Sequence, residues 1–102
     1  MRHNGEIVVT NVRLRAHVLE ELARHGLAPL ATTTPEQLRD AVRDLYRYEI
    51  RRLRGELLAG RIPRRDYAAH VVALRERYPL LSLPVALWVE PDADAAAAPP
   101  LR

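Results

Sequence analysis

Apolar residues recur at helical spacing in three stretches of the chain. In the first, Leu14, Val18 and Leu22 stand in register, predicting a helix over Val12–His25 with Asn11 as its cap and Gly26 placed to end it. The second opens on "TPEQ", residues Thr34 to Gln37, where a threonine cap, a proline at the first helical position and a glutamine three residues on compose a capping box. The helix that follows, Pro35 to about Ala59, carries Leu38, Val42, Leu45, Tyr46, Ile50, Leu53 and Leu57 at spacings of three and four. In the third, Tyr67, Val71, Leu74 and Tyr78 share one face up to Pro79, which stops the helix.

Between the second and third stretches lies "ELLAGRIPRRDY", Glu56 to Tyr67. Gly60 supplies a left-handed residue at low cost, Pro63 fits the first turn of the next helix because its missing N–H would be unpaired there, and Asp66 complements the positive helix end. The segment therefore reads as a helix corner, and so short a turn favours antiparallel packing of the helices it joins. The expected fold is all-α: one helical domain over residues 1–89, three helices of which the second and third form a hairpin. That hairpin is the expected stability centre, with Leu53 and Leu74 in its core.

The segment "PLLSLPVALWV" admits two conformations, one short helical turn capped by Ser82 or an extended strand enforced by Pro84. In either, Leu80, Leu81, Leu83, Leu87 and Trp88 need burial, on the hairpin or on a partner. From Glu90 onward "EPDADAAAAPPLR" is acidic and then rich in alanine and proline, a composition that cannot bury enough to order itself, so residues 90–102 read as a flexible tail.

Composition narrows the field. The chain has 102 residues and no cysteine, which allows one modest core and excludes disulfides and thiolate metal sites; the cytoplasm is the expected compartment. The longest uncharged apolar run, Tyr78–Val89, is far shorter than the roughly 18 residues a membrane span needs. Ile7, Val8 and Val9 are too few for a signal peptide. All 16 basic residues are arginine, a skew that suits a GC-rich coding bias, so position says more than count. Arg47–Arg65 holds seven arginines against two acids, a local excess of five positive charges in a chain whose net charge is +3.

At about 100° per residue, Arg39, Arg43, Arg47, Arg51 and Arg54 fall within roughly 120° of one another on the second helix. Arg64 and Arg65 extend this stripe if the helices pack as a hairpin. Asp40 and Asp44 lie close enough to neutralise part of it. The stripe suits a solvated face, phosphate binding or an acidic protein surface. Only Tyr46 and Tyr48 interleave with these arginines, and no nucleic-acid signature is present. Glu49 falls inside the apolar arc, as does Arg15 on the first helix, and the simplest account is an interhelical Glu49–Arg15 pair or snorkelling side chains. His3, His17, His25 and His70 have no zinc-motif spacing, Ser82 is the single serine and lacks nucleophile-elbow glycines, and the four glycines are scattered. These features give no catalytic, metal-ligating or cofactor-binding residue, and an enzyme is not expected.

At the corner, Leu57, Gly60, Arg61, Ile62, Pro63, Arg64, Arg65, Asp66 and Tyr67, with Leu74 one helical face on, resemble the SHOCT family of short bacterial helical hairpins. Pro63 stands where that family carries a hydroxyl cap and Val71 where it tends to carry lysine. The resemblance implies an oligomerisation or interaction element with no catalytic residues.

Together these features describe a small non-catalytic interaction subunit or adaptor that docks on a larger protein assembly or self-associates. Its candidate partner-binding residues are Trp88, Leu83, Leu87 and Tyr48; Trp88 reads either as an interface anchor or as the closure of the protein's own core. The alternative function is a nucleic-acid-binding or regulatory protein using Arg47, Arg51, Arg54, Arg64 and Arg65.

Overall fold

A computed structural model describes residues 8, 9 and 12–91. Two minimal strands, β1 (Val8–Val9) and β2 (Val12–Arg13), pair antiparallel, with Val9 opposite Val12. Three helices follow: α1 (Ala16–Arg24), α2 (Pro35–Leu58) and α3 (Tyr67–Glu76). Short 3-10 turns occupy Arg64–Asp66, Pro79–Ser82 and Val85–Leu87. The architecture is all-α, as the periodicity predicts.

The first helix is shorter than expected. Residues Val12–Leu14 are extended, and Leu14 forms an isolated bridge with Val89. Arg13 O accepts from the Glu90 amide at 2.7 Å and the Arg15 amide donates to Trp88 O at 2.9 Å, so this stretch serves as the strand partner of the C-terminal segment. Helical and strand periods coincide over so few apolar positions that Leu14 is buried in either conformation. Asn11, the expected cap, lies outside the described residues. Arg15 holds the cap position without any side-chain cap bond.

Both glycine-terminated helices end in Schellman motifs. Gly26 (φ 75°) and Gly60 (φ 80°) take the left-handed conformation that would strain a side-chain-bearing residue. Leu27 N–H reaches Leu22 O and Gly26 N–H reaches Ala23 O; Arg61 N–H reaches Glu56 O and Gly60 N–H reaches Leu57 O. At the start of α2 both arms of the capping box form, Gln37 N–H to Thr34 Oγ1 at 3.0 Å and Thr34 N–H to Gln37 Oε1 at 2.9 Å. Pro63 has extended backbone and precedes a 3-10 turn, so α3 begins four residues beyond it.

Contacts along α2 run in reverse order to those along the chain that follows it: Arg39 bonds Leu81 O, whereas Glu49 meets Arg77 and Tyr78. α2 and α3 are therefore an antiparallel hairpin. The core comprises Leu14, Val18, Leu22, Leu38, Val42, Leu74, Tyr78, Leu80 and Trp88. It gathers at the open end of the hairpin, where α1 and the C-terminal segment cover α2. Toward the corner Leu53 and Leu57 are only half-buried, because α3 alone faces them there.

The C-terminal segment resolves into two 3-10 turns, each opening at a proline or just after one. Trp88 ends the second with 0% of its surface exposed, and its indole N–H donates to Leu83 O at 3.0 Å. It closes the protein's own core and presents no surface as an anchor. Truncating it to alanine should cost about 3–5 kcal/mol. Leu87→Ala, at a solvent-facing neighbour, should cost under about 0.5 kcal/mol; urea unfolding of the two variants measures both values, and equal losses would contradict this placement of the core.

Candidate functional site

Two surfaces of the hairpin carry polar groups in a defined arrangement. The inner one is built where the last turn of α1, the middle of α2 and the end of α3 meet. Tyr78, just past α3, is buried and places its ring parallel to His25, with centroids 4.2 Å apart and planes at 15°. Tyr46 approaches Tyr78 edge-on at 5.3 Å and 70°. The Tyr78 hydroxyl donates to Glu49 Oε2 at 3.0 Å, and the other carboxylate oxygen receives Arg77 Nη2 at 3.4 Å.

Glu49 is thus paired within the hairpin, and Arg15 is not its partner. The expected Glu49–Arg15 pair fails because Arg15 is at the cap of a shortened α1, where its Nε is buried without a hydrogen-bond partner. The sequence signal for the true partners was present. In an antiparallel hairpin whose helices are joined between Leu58 and Tyr67, position 49 lies across from the end of α3, where Arg77 and Tyr78 offer the donors a carboxylate needs. Burial, followed by the hydrogen bond to Glu49 and the nearby negative charge, pushes the Tyr78 phenol up to about 12. A cleft of about 660 Å³ opens beside this pair, lined among others by Glu21, Arg24, His25, Arg52 and Arg77. Its charges are largely matched: Arg24 pairs with Glu21 at 2.7 Å and Arg77 with Glu49.

Sequence singled out the outer surface. Arg47, Arg51, Arg54, Arg64 and Arg65 are all exposed and make no ion pair among the described residues. The flanking members of the stripe behave differently. Arg43 is tied to Asp40, and Arg39 turns inward to Leu81 O at 3.4 Å. At the corner Arg61 bonds Glu56 at 2.8 Å, and that bond holds the Glu56 carboxyl below its usual range. Large apolar side chains stand on the same outer surface, Tyr48 at 59% and Leu58 at 72% exposure, with Val72 exposed on α3.

The four residues expected to bind a partner do not come together. Tyr48 and Leu87 are exposed, Leu83 is half-buried beneath the indole N–H bond, and Trp88 is internal. Leu58 follows the half-buried Leu57 directly and lies about 100° further round the helix, on the outward arc. Among the described residues no three His, Cys, Asp or Glu side chains converge as a metal-ligand set; His17 and His70 are exposed and apart from His25, and His3 lies outside the described residues. No helix among them is long and apolar enough to cross a membrane. Comparison with protein-family models, curated proteins and solved structures returns no match.

Replacing Tyr78 with phenylalanine keeps the ring stack and removes the bond to Glu49. A loss of about 1 kcal/mol is expected, near the net value of one hydrogen bond, because Glu49 retains Arg77 and partial access to water. The phenol is raised in the folded state, so its contribution is complete below the ordinary tyrosine value near 10 and is lost as pH climbs from there through about 12. Absorbance titration of tyrosinate should show one late-ionising phenol that is missing from Tyr78→Phe. An unchanged titration curve would refute the assignment.

Proposed function

We propose that this chain is a small non-catalytic interaction subunit or adaptor that acts through the outer surface of its hairpin, docking on a larger protein assembly or on itself in the cytoplasm. One observation carries the reading. Tyr48 and Leu58, two of the most exposed large apolar side chains, border a row of arginines that have no carboxylate partners among the described residues. Exposed aromatic and arginine side chains in combination mark protein interfaces, whereas isolated surface leucines do not. The resemblance of the corner to short interaction hairpins agrees with this reading. Trp88 enters as a support, its indole N–H bonded to Leu83 O from within.

In-cell cross-linking followed by affinity isolation tests it. Tyr48→Ala with Leu58→Ala should abolish recovery of the principal partner while leaving stability within about 0.5 kcal/mol, as expected for surface positions. Equal recovery by both forms would reject this surface.

The second reading, a nucleic-acid-binding or regulatory protein, draws on the same exposed arginines. It requires affinity for oligonucleotides that falls steeply with salt, with a slope that flattens when Arg51, Arg54, Arg64 and Arg65 are removed together, since each neutralised phosphate releases counterions. No retention of single- or double-stranded oligonucleotide at low salt would eliminate it.

A further inference from the structure

The centre of the outward arc of α2 carries its charges in two blocks, with Arg39 and Arg43 at the edge of the arc, held by Leu81 O and Asp40. Glu36, Asp40 and Asp44 occupy the first half, and Arg47, Arg51 and Arg54 the second; all six are exposed. At about 100° per residue they fall within roughly 80° of one another, opposite the arc of Leu38, Val42 and Leu53 that faces the core. Reading outward from a point between Leu45 and Tyr46, each acid has an arginine at nearly the same distance on the other side: Asp44 with Arg47, Asp40 with Arg51, Glu36 with Arg54. The pattern inverts in sign on reversal of the helix. Such a face complements its own copy laid antiparallel upon it.

We propose that the partner of this face is a second copy of the chain, the two α2 helices packing antiparallel about a two-fold axis near residues 45 and 46. This deepens the docking reading above and rests on it. In that arrangement Glu36, Asp40 and Asp44 of each protomer meet Arg54, Arg51 and Arg47 of the other over about 27 Å of helix, a length two helices crossing at a shallow angle remain in contact. The interface is isologous, as two-fold symmetry requires. Tyr48 and Leu58, on or beside the same face, and the arginine stems supply apolar contact between the charges.

Two simpler explanations fit less well. Acids near a helix start and bases near its end suit the macrodipole, but that effect fades within the first and last turns, and Asp44 and Arg47 lie in the middle of α2. A merely solvated face would gain from opposite charges four residues apart. Here the four-residue neighbours Glu36–Asp40, Asp40–Asp44 and Arg47–Arg51 repel; the three-residue spacings Glu36–Arg39, Asp40–Arg43 and Asp44–Arg47 join opposite charges, but among the described residues only Asp40–Arg43 of these closes as an ion pair. The acidic block also disfavours nucleic acid, since a phosphate backbone following α2 would run from arginines onto carboxylates.

The sign inversion gives the pairing a specific test. Asp40→Arg with Asp44→Arg makes most of the face basic, and Arg47→Asp with Arg51→Asp makes most of it acidic. By sedimentation or light scattering up to about 1 mM, the range where weak dimers show, the wild type should dimerise. Each double variant alone should bind its own kind about tenfold or more weakly, because like charges then oppose across the axis. Mixed one to one, the two variants should restore a heterodimer, an outcome no unfolded variant can produce; circular dichroism confirms the helices separately. A wild type that stays monomeric across this range overturns the pairing while leaving docking on a different protein to the cross-linking experiment. Variants that self-associate like the wild type, or a mixture that stays monomeric, overturn it as well. A monomer that instead retains oligonucleotides through Arg47, Arg51 and Arg54 would assign the face to nucleic acid.

Discussion

The burial of Trp88 is the constraint on which the other contacts depend. An indole is too large for the seam of a two-helix hairpin, and its N–H must find an acceptor once water is gone. Leu83 O supplies that acceptor five residues back, which obliges the chain between them to turn tightly; Pro84 starts the turn. Beyond Trp88 the backbone is extended and needs a partner, and β2 with its continuation to Arg15 provides one through Trp88 O, the Val89 bridge and the Glu90 amide. The beginning of α1 is set by that demand. Residues that could have added a helical turn instead pin the two ends of the domain together.

Packing at this end leaves the corner of the hairpin thin. Among the described residues eight buried apolar side chains cluster with Trp88, whereas Leu53 and Leu57 are half-buried and Leu58 faces solvent. The corner keeps its shape by local means: a left-handed glycine, two Schellman hydrogen bonds and the Glu56–Arg61 bond. The Glu49–Tyr78–Arg77 contact sits between these two regimes, ordering the helices where apolar burial gives way to polar surface. Its carboxylate is satisfied on both oxygens, and so an acid can occupy the apolar arc without destabilising it.

Much of this was legible in sequence because it is encoded locally. The capping box at Thr34, the left-handed glycines at 26 and 60 and the stop at Pro79 are each fixed by a few adjacent residues, and each stands where the pattern put it. What the pattern misplaced depends on distant segments. Val12–Leu14 is extended because it pairs with Val8–Val9 on one side and with Val89 and Glu90, some 75 positions later, on the other, and Glu49 likewise finds distant partners, Arg77 and Tyr78 in place of Arg15. Trp88 shows the limit most clearly: an apolar segment beside a polar tail has one composition whether it covers its own core or a neighbour's. The exposed arginines of the candidate surface were legible from helical angle alone, while Leu58 was obscured by an apolar neighbour on the other face.

α2 therefore performs two tasks with faces that are chemically independent. Its inner arc is specified by volume and by one satisfied carboxylate; its outer arc contributes nothing to the core and is free to carry a pattern for recognition. On such an arc arginine is better suited than lysine to pair with carboxylates, since its planar fork fixes direction as well as charge. A coding bias toward arginine accounts for the choice of base but not for its position. Mutational drift on a purely solvated face would intermix the signs, which also favours the isolated helix. Along the centre of the arc like charges stand four residues apart, a repulsion that Arg43 relieves only at Asp40, and a contact between two such faces offsets the repulsion that each face carries alone.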